Sequence, residues 1–210
     1  MNLEKVAKPN IALLRECGLS VRDIVKMALS SRLLTFNPER VKGFVRRADE
    51  LGVPRGSAAF KCTVGIASCI SEEKVAAKLE VVRNTLGCST ERLCSEVCKR
   101  PQILALSEEQ LCRKIEFLVT EVGLQPEYIL KRLVLLTFSL EKRLMPRHCV
   151  LKVLEAKGLM KEGLGFCPII LYGEDDFVAR YIDCHKGTVP GLADAYAAAR
   201  AGEITPKVNL

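Results

Sequence analysis

From Lys99 to Lys152 the chain carries ten basic residues against six acids, a local excess of four, more than half of the whole chain's net charge of +7. Cations at this density could neutralise phosphates and release their counterions. Arginine could also read guanine O6 and N7, whereas lysine offers only a point charge. On this reading the candidate nucleic-acid contacts are Lys99, Arg100, Arg113, Lys114, Lys131, Arg132, Arg143 and Arg147. The competing reading places the same side chains on solvated helix faces and last turns, where they serve solubility and the helix dipole.

Other reactive side chains are present but form no catalytic or metal-binding pattern. Cys94 and Cys98 share a helical face with Cys88 nearby, yet no Cys-x-x-Cys pair or histidine at ligand spacing completes a zinc site. His148 and His185 each sit beside a cysteine without the third partner of a triad. Glu174 to Asp176 read as a solvated loop after Gly173, and no phosphate-binding glycine motif occurs. Phe36, Phe44, Phe117 and Phe138 lie in apolar contexts and read as core, not as base-stacking platforms. The expectation is a protein that binds but does not catalyse, with no metal and no cofactor.

Length and composition bound what must position these residues. At 210 residues, 49% hydrophobic and 27% charged, the chain can bury a substantial core. Ten cysteines in so apolar a chain, behind a start that lacks a leader's apolar run, point to a reducing compartment. No stretch approaches the length of a membrane span. Glu4 and Glu16 make the start unlike an acid-poor organellar presequence, so any such address would be missing or removed.

The elements themselves repeat. Gly18, Gly52, Gly87, Gly123 and Gly158 follow one another at intervals of 34, 35, 36 and 35 residues. This period marks stacked helical hairpins, which cannot bury their apolar faces singly. Before Gly123, Ser107 and Gln110 form a capping box, and Leu111, Ile115, Leu118 and Val122 recur on one helical face. Before Gly87, Ser71 leads Val75, Leu79, Val82 and Leu86 at the same offsets. Each glycine suits a left-handed helix stop. Beyond it a second helix is expected, with Ile24, Ala58, Leu93 and Ile129, then Ala28, Cys62, Val97 and Leu133, facing inward. Ser20, Ser89 or Thr90, and Pro126 fit the starts of those helices.

"LEKVAKP" from Leu3 shares its Leu-Glu-Lys opening and its proline with "LEKRLMP" from Leu140, so residues 1 to 18 read as the back half of a repeat. The expected organisation is a repeat array over residues 1–160, its first unit incomplete, followed by a cap and tail over 161–210 with a short helix near Asp194 to Ala201. Tetratricopeptide units require tryptophan, of which there is none, and no repeated base-reading positions of the pentatricopeptide kind recur.

The unit "RPQILALSEEQLCRKIEFLVTEVGLQPEYILKRL" resembles the mTERF motif, the repeat of the mitochondrial transcription termination factors: a Pro-x-x-Leu turn at Pro101 and Leu104, a Ser-led helix, a Phe-Leu pair and a Gly-Leu stop. "LTFSLEKRLMPRHCVLKVLEAKGL", Leu136 to Leu159, is similar to the last repeat of land-plant members. Arg32 and Ile66 replace the proline of Pro101 in earlier copies. The resemblance implies an all-α, curved helical-repeat solenoid, here a short or N-terminally truncated member. It further implies a monomer that binds nucleic acid, mostly double-stranded DNA, along a basic concave surface in mitochondria or chloroplasts. Regulation of transcription, termination above all, is the implied role. Organellar intron RNA binding in splicing, or a protein-interaction scaffold, are the alternatives.

Overall fold

The computed structural model describes residues 3–160 and 165–202. Among these the fold is all-α, with no strand. Its helices are α1 (Lys8–Glu16), α2 (Val21–Ser30), α3 (Pro38–Glu50), α4 (Ala58–Cys69), α5 (Glu72–Leu86), α6 (Thr90–Lys99), α7 (Glu108–Thr120), α8 (Pro126–Leu130), α9 (Met145–Ala156), α10 (Phe166–Leu171), α11 (Glu174–Tyr181) and α12 (Leu192–Ala201). The chain divides into two compact bodies, residues 1–116 with 125–133, and residues 117–124 with 134–210.

Local chemistry explains the helix ends. Gly18, Gly52, Gly87, Gly123 and Gly158 all have φ between +62° and +82°, the left-handed stop that other residues adopt only with strain. At Gly18 space matters as well, because a Cβ there would stand 3.1 Å from the Cα of Gly56. The capping box closes as the sequence predicts: the Ser107 hydroxyl accepts from the Gln110 amide and the Gln110 side chain accepts from the Ser107 amide, both at 3.1 Å. Ser20, Ser57, Ser89 and Ser139 accept from amides three residues on.

Two departures from the expected register have clear causes. In the second hairpin an extra turn at Pro54 to Gly56 delays the N-cap to Ser57, so Ala58 is exposed and Phe60 enters the core instead. The two related segments at Leu3–Ala7 and Leu140–Leu144 each form a π-turn leading into a helix with proline at its second place. Proline has no amide hydrogen to return to the preceding turn, which favours such a widened turn. One residue is thereby inserted into the helical count.

The first body has a core of Leu14, Leu33, Val41, Phe44, Phe60 and Val64 with their neighbours. In the second, α12 packs against α9, and Phe177 stacks on Tyr181 with ring centroids 5.1 Å apart. Glu174 to Asp176 form the first turn of α11 and not the loop expected from sequence, where their charges complement the helix dipole. The helix expected near Asp194 to Ala201 spans Leu192–Ala201. Residues 161–164 and the tail from 203 lie outside the described residues.

Candidate nucleic-acid interface

Five side chains make up the described chain's buried polar and charged set: Asn10, Thr63, Lys78, Lys114 and Arg147. Four of them occupy one place in the repeat. Lys78 and Lys114 each stand seven residues after the serine that opens their helix, Ser71 and Ser107. Arg147 stands eight after Ser139, the additional residue being the one inserted by the π-turn, and Asn10 is its counterpart in the related opening segment.

At this place Lys78, Asn10 and Arg147 donate to carbonyls at the end of the following short helix. Lys78 Nζ meets the Leu104 carbonyl at 2.8 Å, and Asn10 Nδ2 meets the Phe36 carbonyl at 2.9 Å. Arg147, with no exposed surface, donates to the carbonyls of Ile170 (3.1 Å), Tyr172 (2.8 Å) and Gly173 (3.3 Å) and to Glu174 Oε2 (3.0 Å). In the second hairpin Phe44 fills the place, and Arg47 one turn later donates to Ala67 and Ile70 at 2.9 and 3.0 Å. The carbonyls at a helix end have no intrahelical partner, and burying them bare is costly. Lys78, Arg147 and Arg47 are therefore tertiary caps. Burial lowers the Lys78 ammonium below its usual pKa, with Lys74 adding to the effect and Glu108 opposing it.

This geometry places three of the eight sequence candidates wholly or partly in the interior. Arg147 is sealed in the second body and offers nothing to a phosphate. Arg143 is half-buried, bonds the carbonyls of Ile170 and Tyr172, and stacks on Phe138. Lys114 is 94% buried. The inward place of Lys114 and Arg147 is signalled only by the offset from the N-cap serine, and the π-turn hides that offset at Arg147. Glu174 also escaped the sequence reading: it accepts from Arg147, from Tyr196 Oη at 3.0 Å and from Arg200 at 2.6 Å. Burial raises its pKa, but these donors outweigh burial and hold it below the usual value.

The remaining five candidates belong to the first body and are exposed. Lys99 pairs with Glu96 at 2.7 Å, and Lys131 with Glu127 at 3.4 Å. Arg92 joins Glu127 as well, across a shallow groove between α6 and the end of α8 that Lys131 also lines. Glu127 sits below the usual carboxylate range because, although burial pushes it up, Lys131 and Arg92 together pull it down further. Arg113 stands on the outer face of α7. Arg100 and Arg132 form no ion pair among the described residues; Arg132 is exposed and lies over the Tyr128 ring at 4.0 Å.

Among the described residues no three potential ligands converge on a metal position, and no helix is long and apolar enough to cross a membrane. The ten cysteines form no disulfide among the described residues. His148 lies edge-on between Phe117 and Phe166, at 5.4 and 6.0 Å, and burial lowers its pKa.

Stacked helical hairpins with left-handed glycine stops, buried tertiary caps and outward-facing cations define a helical-repeat protein. The chain belongs to the mTERF family, whose sequence model matches residues 1–170. Comparison with curated proteins returns no match. Family membership carries an organellar, transcription-related, nucleic-acid-binding role, one that is generally non-enzymatic.

Proposed function

We propose that this protein binds double-stranded DNA in mitochondria or chloroplasts and regulates transcription there, at termination or a related step, by occupancy and not by catalysis. Lys99, Arg100, Arg113, Lys131 and Arg132 would be the contacts, with the chain bound as a monomer. The observation that carries this reading is the pair of exposed arginines, Arg100 and Arg132, that no acid of the described chain neutralises, set in a family of nucleic-acid binders. Lys99 and Lys131 would exchange their surface acids for phosphate at little cost, since exposed ion pairs contribute only about 0–1 kcal/mol.

Affinity for random duplex DNA and for single-stranded RNA, measured across a salt series, tests the proposal. If all five cations engage phosphates, log K falls against log salt with a slope of about −4.5 for duplex DNA. Tighter RNA binding would move the protein to intron or transcript recognition. Negligible binding of both at low salt would sink the proposal and leave a protein scaffold.

A further inference from the structure

We infer that the outer face of α2 is a docking surface for an amphipathic helix of a partner protein, one with an apolar stripe and an acidic edge. Three of the five large hydrophobic side chains exposed in the described chain lie on this one helix: Val21, Val25 and Leu29, the last 84% exposed. They are four residues apart, so at about 100° per residue they form a single stripe along the axis. The inward stripe of the same helix, Ile24 and Met27, is already buried in the core. α2 is thus apolar on two faces, and one of them is unpartnered.

Its charge selects the occupant. Arg22 and Lys26 come next to Leu29 around the helix, both exposed and neither ion-paired among the described residues. The one acid of α2, Asp23, lies on the other side and is taken up by Lys61 at 2.7 Å and Ser20 at 2.6 Å. The stripe therefore has an uncompensated basic edge. A nucleic-acid backbone fits the edge but not the stripe, which offers phosphates nothing. A second copy fits the stripe but not the edge, since antiparallel two-fold pairing sets Arg22 and Lys26 of one copy against the same residues of the other. An apolar helix edged with Glu or Asp satisfies both features.

The array itself shows that helix packing uses these places. Counted from the N-cap serines, Cys94 and Cys98 of α6 correspond to Val25 and Leu29 of α2, and both are partly buried. Cys98 donates to the Leu51 carbonyl in the turn that ends α3 of the preceding hairpin. At α2 the equivalent places are wide open and bear larger side chains.

The test uses the whole chain and two synthetic helical peptides with leucine at the a and d places of each heptad, one with glutamate along its edge and one with lysine. The glutamate peptide is expected to bind and the lysine peptide not to bind. Leu29→Glu should weaken the complex on the order of tenfold or more without changing helicity. Arg22→Glu with Lys26→Glu should reverse the preference between peptides. Random duplex DNA should not displace the bound peptide. The inference is overturned if neither peptide binds, if Leu29→Glu leaves binding unchanged, or if DNA displaces the peptide. It is equally overturned if the wild-type chain sediments as a dimer that Leu29→Glu splits.

Discussion

Arg132 and Arg147 are both arginines lying over an aromatic ring, at 4.0 Å on Tyr128 and 4.3 Å on Phe177, yet their surroundings are opposite. In the first body Arg132 follows a short helix, faces water and has no acidic partner among the described residues. In the second, Arg147 is sealed inside, and its guanidinium ties α9 to the end of α10 and the start of α11. The same residue type and the same ring contact thus give a surface that can meet a ligand in one place and a structural pin in the other. The difference comes from register: Arg147 occupies the inward place shared by Asn10 and Lys78, where the next helix end presents carbonyls that need donors.

Replacing the pin should produce the largest effect. Arg147→Ala takes one donor each from Glu174 and the Ile170 and Tyr172 carbonyls, strips the Gly173 carbonyl of its side-chain donor, empties a fully buried site and is expected to cost about 3–5 kcal/mol in denaturant unfolding. Arg147→Lys should recover only part, because an ammonium cannot serve the same fork of acceptors. A fully stable Arg147→Ala protein that had lost only nucleic-acid affinity would erase the contrast drawn here. Lys78→Met removes a single donor to Leu104 and should cost about 1–3 kcal/mol by the same measurement.

His148 sharpens the comparison through pH. Burial holds its pKa below the ordinary 6.5, so the folded chain binds its proton less readily than the unfolded chain. Its neutral form supports full stability above pH 6.5, and stability should fall as the pH drops below that value. Urea midpoints at successive pH values should show this fall, and His148→Phe should remove it; an unchanged profile would show that another group is responsible.

The smallest change in stability is expected at the exposed pair. Arg100→Ala with Arg132→Ala should shift unfolding by no more than about 0.5 kcal/mol. The same double variant should make the salt slope for duplex DNA shallower by about 1.8, two phosphates' worth. Equal slopes in variant and wild type would remove these arginines from the interface.

Much of the fold was legible in the sequence because its signals are local. Five glycines at a near-constant interval, serine caps and apolar residues at helical spacing each act within a turn or two of backbone, and together they fixed the repeat, the helix starts and the helix stops. Two local features upset the inward register: the extra turn before Ser57, at Ala58, and the π-turns at Leu3–Ala7 and Leu140–Leu144, which shift it by one residue. The density of cations was equally plain, but not their direction.

What the tertiary structure alone decided is which cations are surface and which are interior. Lys78 meets a carbonyl 26 residues away, and Arg147 meets one 25 residues away, on segments whose approach depends on packing and not on neighbouring residues. A lysine or arginine has a long apolar stem that lets it sit inside if its head finds acceptors, so its type alone cannot say whether it faces water. Sequence determined a helical-repeat chain with basic residues at stated places. The carbonyls of the following helix ends turned the inward ones into caps, leaving Arg100 and Arg132 facing out.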